Sequence, residues 1–208
     1  MAFDILSRYK YLIWDWNGTL LNDVVLTHSV LNSQLKKANI SEVCLHTYRS
    51  KQRFPIKDFY VDMGFNFETH PFQTIADQFL QEYEDRLDKE AALFEDRPEL
   101  LRSLQQNGSK HYLLSAAPHD HLVDIVTRHK LFDFFERISG SENNHAAGKL
   151  ERAHKLINDA GIDTSSCALI GDTDHDLEVG LELGVDVWLV SDGHQTRERL
   201  ESKHKSIL

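Results

Sequence analysis

The sequence is short of cysteine and of positive charge, and each shortage argues against a class of protein. It contains two cysteines, Cys44 and Cys167, which lie far apart and outside any CxxC pattern. Neither a disulfide framework nor a cysteine zinc site is therefore expected. The 23 basic residues are outnumbered by 33 acidic residues, giving a formal net charge of −10. Because nucleic-acid phosphates demand a positive surface, a general nucleic-acid binder is disfavoured.

Long apolar runs are also missing, so no membrane-spanning segment is predicted. The N-terminal MAFDILSRYKY is too short and too charged for a secretory signal. With two thiols expected to be free, we predict a soluble cytoplasmic protein with neither a membrane nor a nucleic-acid partner. Its 208 residues allow one sizeable domain with a smaller insertion. The sequence leaves the oligomeric state open, and our working expectation is a monomer.

Short apolar runs that end at polar or glycine-rich turns are what the sequence does contain, and they predict a parallel sheet. From residue 98 onward these runs alternate with helical patterns, which is typical of an open α/β fold. One such helix begins near Pro98, a second covers 150–160, and a third follows the turn at Asp172, with Leu177 and Leu181 on one face and Gly184 at its end. The predicted strands are 11–14, 111–117, 167–171 and 185–190, with a weaker candidate at 136–139.

The segment 22–92 shows helical patterns and no convincing strand. One apolar face runs from Val24 to Ala38, a short helix follows Pro55, and a longer one continues toward Phe94. We therefore predict a discontinuous α/β core, 1–21 and 93–208, with a helical insertion, 22–92, over the carboxyl ends of the strands. Open α/β sheets bind their ligands at that edge.

Polar side chains follow several of the predicted strands, where adjacent parallel strands bring their carboxyl ends together. Three carboxylates, hydroxyls and an ammonium in one crevice suit magnesium-assisted phosphoryl transfer, because Mg²⁺ prefers oxygen ligands. Lysine and hydroxyl donors can hold the remaining phosphate oxygens. The residues concerned are Asp15, Thr19, Ser115, Lys149, Asp172 and Asp176.

Four of these stretches, in order, resemble the motifs of the haloacid dehalogenase (HAD) superfamily. DWNGTL (15–20) is similar to the first motif, D-x-D-G-T-L, and YLLS (112–115) to the second; Lys149 fits the third, and GDTDHD (171–176) fits the fourth. The resemblance covers nearly the whole chain, and VSDGH (190–194) adds a likeness to phosphoglycolate phosphatase-like members. It implies a Rossmann-like three-layer α/β/α core with a parallel sheet and an inserted α-helical cap of the C1 type.

The resemblance also implies a role for each matching residue in a Mg²⁺-dependent phosphatase acting on a small phosphorylated metabolite. Asp15 would attack phosphorus and form an aspartyl-phosphate. Ser115 and Lys149 would bind the transferring phosphoryl group. The remaining implied roles are Mg²⁺ binding by Asp15, the backbone carbonyl of Asn17, Asp172 and Asp176, and phosphate contacts at Gly18, Thr19 and Ala116.

Asn17 departs from the family pattern, which has a second aspartate that protonates the leaving alcohol and activates water. An amide does neither at neutral pH, and such assistance is worth ~10²–10⁴-fold. We expect the native protein to favour activated phosphates, and an Asn17→Asp variant to gain most on alkyl esters. Asn-Gly is also a common turn pair, so Asn17 as a turn residue stays open. His119, His175 and His145 are either solvated or structural side chains or candidate replacement acids.

Two further points stay open at this stage. Arg49, Lys51, Arg53 and Lys57 form a basic cluster in an acidic chain, which is either a solvated helix face or an anion-binding patch on the cap. We take Arg53 and Lys57 as candidate substrate contacts.

The alternatives to a phosphatase are a weakened HAD protein that binds a phosphorylated ligand or partner, and a phosphotransferase with an acceptor other than water. A dehalogenase is disfavoured, because its chemistry uses no metal and would not need the acidic fourth motif.

Overall fold

The computed structural model describes residues 2–141 and 148–208, and within them a five-stranded parallel sheet carries helices on both faces. Its strand order is β5-β4-β1-β6-β7, and a separate antiparallel pair joins β2 to β3. The strands are β1 (Tyr11–Trp14), β2 (Leu21–Asn22), β3 (Ala92–Leu93), β4 (Lys110–Pro118), β5 (Phe135–Ser141), β6 (Cys167–Gly171) and β7 (Asp186–Leu189).

Ten α-helices are assigned in the described residues. They are α1 (Ala2–Leu6), α2 (Val24–Lys37), α3 (Leu45–Lys51), α4 (Ile56–Asp62), α5 (Phe72–Glu90), α6 (Arg97–Gln106), α7 (His119–Arg128), α8 (Lys149–Ala160), α9 (Asp174–Leu183) and α10 (Arg197–Glu201). In that part of the chain none combines the length and the apolarity that crossing a bilayer would take.

The central strand β1 is buried on both faces, which explains its unbroken apolar sequence. Leu12 and Trp14 pack into a core with α1, α6 and α7, whereas Ile13 packs into a second core with α8 and α9. Side chains of one strand alternate between faces, so a strand covered on both sides is apolar throughout. Trp14 pairs with Leu113 of β4 and with Ile170 of β6. The predicted three-layer α/β fold is confirmed.

Helices α2 to α5 lie between β1 and β4 along the chain and pack around a third apolar cluster, which includes Leu31, Tyr48, Phe59 and Ile75. We call this helical segment the cap. The chain enters it at β2 and leaves it at β3, and these two strands pair antiparallel, Leu21 with Leu93. Neither strand was expected, because two residues are too few for any periodicity. Helix α3, the second helix of the cap, was not predicted either, and α5 ends at Glu90 rather than continuing toward Phe94.

Candidate active site

Three buried aspartates meet at the carboxyl edge of the sheet. Asp15 directly follows β1, Asp172 directly follows β6, and Asp176 lies in the first turn of α9. One carboxylate oxygen from each lies within 4.8 Å of the others. The parallel pairing of β1 with β6 produces this convergence, since the Asp15 amide donates to Ile170 O at 2.9 Å and extends the ladder by one bond.

Lys149 links two of these carboxylates. As the first residue of α8, it places Nζ 2.6 Å from Asp15 Oδ1 and 2.5 Å from Asp176 Oδ1. Burial raises the pKa of Asp15 to about 6, although Lys149 opposes the shift. Burial also tends to raise the pKa of Asp176, but Lys149 and the Thr173 hydroxyl outweigh this effect. The pKa of Asp176 therefore lies below its usual value. Lys149 therefore forms an ion pair with both carboxylates.

Asp172 lacks a lysine or arginine partner among the contacts of the described residues, and its carboxylate is held by backbone instead. The amide of His194 donates to Asp172 Oδ2 at 2.6 Å, and the Thr19 hydroxyl lies 3.5 Å from Oδ1. Burial raises the pKa of Asp172 to about 8; the charge of His194 opposes this, and Asp176 and Asp15 add to it. The aspartate cluster thus carries more negative charge than its side-chain partners neutralise.

Gly18 allows the loop after β1 to lie against this cluster. Its φ of +70° is unfavourable for other residues, and a Cβ at this position would lie 2.2 Å from Asp172 Oδ2. Its amide donates to Leu21 O at 2.8 Å and to Asp23 Oδ1 at 3.0 Å. The Thr19 carbonyl accepts a bond from Arg97 Nε at 3.1 Å. The predicted substrate contacts Gly18 and Thr19 therefore lie against the carboxylates in a tightly bonded loop.

Asn17 is bonded through its side chain to the entrance of the cap. Its Nδ2 donates to Asp23 Oδ2 and to the Tyr83 hydroxyl, both at 2.9 Å. The Tyr83 hydroxyl donates in turn to Asp23 Oδ2 at 2.7 Å. The side chain therefore makes tertiary contacts that a simple turn residue does not need.

Asp23 and His194 are site residues that the sequence did not reveal. Asp23 Oδ1 lies 3.1 Å from His194 Nε2, and His194 Nδ1 lies 2.7 Å from the Tyr48 hydroxyl. Burial tends to lower the pKa of His194, but Asp23, with Asp172 and Asp15, raises it to about 9. Burial tends to raise the pKa of Asp23, but the charge and hydrogen bond of His194 outweigh it and keep that pKa below its usual value. The two side chains therefore form a buried ion pair beside the aspartate cluster.

Ser115 lies near the end of β4, the neighbour of β1, and its side chain is buried. The hydroxyl oxygen accepts a bond from the Ala117 amide at 3.1 Å. Ala116, the next residue, is exposed. The pairing of Trp14 with Leu113 brings this strand end beside Asp15. The structure therefore locates the second motif on the same edge of the sheet as the aspartates.

The basic cluster of the cap is divided among separate contacts. Arg49 docks on the core, donating to Ser191 O at 2.7 Å and to Gln195 O at 3.0 Å. Arg53 pairs within the cap with Asp62 at 2.7 Å. Lys57 lies over the Phe67 ring, 5.4 Å from its centroid, and Lys51 is exposed. The contacts of Arg53 and Lys57 are thus with other cap residues, and their role toward substrate stays a prediction.

The histidines considered as replacement acids make other contacts. His119 Nδ1 accepts a bond from the Gly140 amide at 3.4 Å. The His175 ring packs against Phe54 in a tilted arrangement, with 4.8 Å between ring centroids, and its Nδ1 lies 3.4 Å from Glu178 Oε2. His145 falls outside the described residues. Among the described contacts it is His194 that touches both Asp172 and Asp23.

Comparison with protein families identifies the chain. The model of the haloacid dehalogenase-like hydrolases matches residues 12–190, which includes all four motifs. The chain therefore belongs to the haloacid dehalogenase-like hydrolase family, as the motifs predicted. Comparison with curated protein sequences gives no significant match.

Several solved structures share the fold at low sequence identity. A haloacid dehalogenase-like family hydrolase from Streptococcus pneumoniae is 18% identical, with a TM-score of 0.82, covering 97% of this chain and 93% of that one. A predicted phosphoglycolate phosphatase from Haemophilus somnus 129PT is 19% identical, with a TM-score of 0.74 and coverages of 96% and 93%. Protein Tyrosine Kinase A from Mycobacterium tuberculosis is 17% identical, with a TM-score of 0.78 and coverages of 91% and 87%.

Proposed function

We propose that the protein is a Mg²⁺-dependent phosphatase that acts on a small phosphorylated metabolite through an aspartyl-phosphate on Asp15. The observation that supports this most directly is the buried cluster of Asp15, Asp172 and Asp176, with Lys149 bridging two of its members. A nucleophilic carboxylate, an ammonium for the phosphoryl oxygens and further carboxylates for a cation are the groups that phosphoryl transfer requires.

The donor set fits a magnesium ion. Mg²⁺ binds hard oxygen ligands, and the cluster offers three carboxylates. The family resemblance adds the backbone carbonyl of Asn17 as a further oxygen ligand. Asp172 also needs positive charge, because burial raises its pKa and no lysine or arginine contacts it in the described residues. A bound Mg²⁺ would supply charge neutralisation and orient the phosphate. Asp15, Asn17, Asp172 and Asp176 are the residues that we expect to hold it.

The protein residues would carry the two chemical steps as follows. Lys149 holds one oxygen of Asp15, and the other oxygen attacks phosphorus. The bond to the leaving group breaks with its electron pair on the leaving oxygen. Lys149 and the Ser115 hydroxyl bind the phosphoryl oxygens during transfer. Water then attacks the phosphorus, which releases phosphate and restores the Asp15 carboxylate.

The second step should be the slower one in this protein. Family phosphatases use the aspartate at the Asn17 position as a base for the hydrolytic water, and an amide lacks that ability. The aspartyl-phosphate should therefore accumulate and appear as a burst of released leaving group. Acid-quenched protein should carry label from a ³²P-substrate, and hydroxylamine should remove it as expected for an acyl phosphate.

The test is a panel of phosphorylated metabolites and acyl phosphates, assayed with Mg²⁺ and with excess chelator. Turnover should require Mg²⁺, and Asp15→Asn should abolish both turnover and labelling while keeping the shape of the side chain. Asp133→Asn makes the same charge change at an exposed position and should retain activity. Full activity in chelator, or in Asp15→Asn, would rule out the mechanism.

The same assay separates the alternatives. A phosphotransferase would form the labelled intermediate but would discharge it faster when an alcohol acceptor is added. A phosphate-binding protein would show no turnover, yet phosphorylated ligands would raise its melting temperature in a Mg²⁺-dependent way.

A further inference from the structure

Asp23 lies where the chain passes from β2 into the cap helix α2, and its side chain is 2% exposed. It occupies the N-cap position of α2, yet its carboxylate makes no capping bond to that helix. It accepts bonds instead from Asn17 Nδ2 and from the Gly18 amide. The Asp23 carboxylate therefore supports the loop that carries Asp15 rather than the helix that it begins.

The Asn17 amide has no N–H to spare in this arrangement. Its Nδ2 carries two protons, and two acceptors lie at 2.9 Å, Asp23 Oδ2 and the Tyr83 hydroxyl oxygen. Tyr83 can accept there because its own proton goes to Asp23 Oδ2 at 2.7 Å. Only the amide oxygen of Asn17 then remains for an approaching group, and that oxygen is solely an acceptor.

The cap supports this arrangement through two tyrosines. Tyr83 belongs to α5 and contacts Asp23 and Asn17 directly. Tyr48 belongs to α3 and contacts His194, which in turn contacts Asp23 Oδ1. Docking of the cap on the core therefore brings the acceptor-only arrangement of Asn17 into place.

We propose that Asp23 is a positioning residue that commits Asn17 to accept hydrogen bonds in the closed site, and so restricts the enzyme to phosphates whose leaving group departs without a proton. This inference rests on the proposed phosphatase function and names its substrate class. Acyl phosphates fit, because their leaving group is a carboxylate. Alkyl phosphates do not fit, because an alkoxide leaving beside an acceptor oxygen finds neither a proton nor a hydrogen-bond donor from Asn17.

Asp23 also changes what we expect of Asn17→Asp. With Asn17 considered alone, the introduced carboxyl group would restore the missing acid. Beside Asp23, however, it would either place two like charges at hydrogen-bonding distance or direct its proton to Asp23. In neither case does the proton reach a leaving group, so the single substitution should recover little activity on alkyl esters.

The exchange of the two side chains provides the decisive variant. In Asn17→Asp/Asp23→Asn the amide at position 23 can donate to the carboxylate at position 17, and Tyr83 can reverse its hydroxyl. The pair keeps its hydrogen bond and its total charge, but the carboxyl group now lies in the loop that carries Asp15. We therefore expect the double variant to behave differently from the sum of the two single variants.

The first measurement is thermal unfolding, which needs no enzymatic activity. Asn17→Asp should lower the melting temperature by on the order of 10 °C, because it places a half-buried carboxyl group beside the buried Asp23. Asp23→Asn alone should also lower the melting temperature, because it removes the carboxylate that pairs with His194. The double variant should therefore lose clearly less than the two single variants lose together. Additive effects of the two substitutions would overturn the proposal, whatever the protein does to phosphates.

The second measurement is the dependence of log(kcat/KM) on the leaving-group pKa, across acyl, aryl and alkyl phosphates. Native protein and Asn17→Asp should both lose activity steeply as that pKa rises, since neither supplies a proton. The double variant should show a shallower dependence and gain up to ~10²–10⁴-fold on alkyl esters. If Asn17→Asp alone flattens the dependence as much as the double variant does, Asp23 does not constrain position 17 and the proposal is wrong.

Two control variants distinguish positioning from general support of the fold. Tyr83→Phe keeps the ring that stacks on Phe79 but removes one acceptor of the Asn17 amide, so it should make the leaving-group dependence shallower than in native protein. Thr27→Val removes a hydroxyl that lies 3.3 Å from Asp23 Oδ2 without touching Asn17, and should leave the dependence unchanged. If Tyr83→Phe and Thr27→Val depend on the leaving-group pKa to the same extent, Tyr83 does not have the role proposed here.

Absence of turnover in every protein would count against the phosphatase function. The thermal measurement would still decide whether Asn17 is coupled to Asp23.

Discussion

His111 is a buried neutral imidazole that makes the stability of the protein depend on pH. It lies in β4, where Nδ1 accepts from Trp14 Nε1 at 2.9 Å and Nε2 donates to Leu101 O at 3.1 Å. Burial lowers the pKa of His111 to about 4. In the unfolded chain the same imidazole takes up a proton near its ordinary pKa, which is about 6.5. As pH falls through this interval the unfolded state binds the additional proton, so the free energy of unfolding decreases.

We predict that His111→Gln removes this part of the pH dependence. Glutamine can accept from Trp14 and donate to Leu101 O without titrating. Denaturant unfolding at pH 7 and at pH 4.5 should show native protein losing about 2–3 kcal/mol more than the variant. Groups that titrate in both proteins, including His194, cancel in this difference. Parallel stability curves for the two proteins would show that His111 does not contribute.

At the scale of residues, the sequence predicted which polar side chains lie at the carboxyl edge of the sheet, but not all of their contacts. Asp15, Ser115, Lys149, Asp172 and Asp176 were found because each lies at a strand end or a helix start within a motif. Asp23 and His194 lie 171 positions apart and meet only through the fold, so no local pattern joins them. The amide at Asn17 was conspicuous in the sequence, whereas the carboxylate that binds it lies six residues away in the chain.

At the scale of elements, α3 connects the cap to the core through Arg49. The carbonyls that Arg49 contacts, Ser191 O and Gln195 O, lie in the loop after β7 that also carries His194. Gln52, at the end of α3, adds a buried contact, since its side-chain oxygen accepts from Gln195 Nε2 at 3.1 Å. These contacts attach the cap to the same loop whose His194 amide binds the Asp172 carboxylate.

We predict that Arg49→Ala raises KM for every substrate, because it weakens cap docking as a whole. Arg53→Ala or Lys57→Ala should raise KM only for the natural substrate, if its remote group is anionic, and should spare a generic aryl phosphate. Lys51→Ala, an exposed neighbour on α3, is the control and should change neither constant. If Arg53→Ala and Lys57→Ala affect neither substrate, these side chains are only a solvated face. An unchanged KM in Arg49→Ala would show that docking does not depend on this contact.

The elements themselves were predictable where one physical requirement dominates. YLIW and CALIG are apolar throughout because both faces of the strand are covered, and their predicted bounds agree with β1 and β6. The strands β2 and β3 have no such requirement, since each is two residues long and exists through its partner. The helix α3 carries few apolar residues, and its position depends on contacts with the core rather than on periodicity.

At the scale of the whole molecule, the two thiols differ sharply in environment. Cys44 is exposed, and a hydrogen bond with the Thr47 hydroxyl lowers its pKa. Cys167 is 1% exposed at the start of β6, and burial raises its pKa to about 12. Thiolates are the reactive species, so Cys44 should react readily and Cys167 only after the sheet opens.

We predict biphasic labelling by a thiol reagent under native conditions, with one equivalent reacting quickly and one slowly. The slow phase should accelerate with denaturant, and a phosphate ligand with Mg²⁺ should slow it without changing the fast phase. Cys167→Ala should abolish the slow phase only. Two fast equivalents in native protein would show that β6 opens far more easily than its central place in the sheet implies.

The strand order has a consequence for synthesis of the chain on the ribosome. Trp14 in β1 finds its partner Leu113 only after ~100 further residues have been added, and Ile170 comes later still. At typical elongation rates of ~5–20 residues per second, the apolar strand β1 spends ~5–20 s without its sheet neighbours. Cap helices α2 and α5, which pack against each other, are complete within that interval. The nascent chain can therefore form the helix pair α2 and α5 of the cap well before the active-site edge of the sheet can assemble.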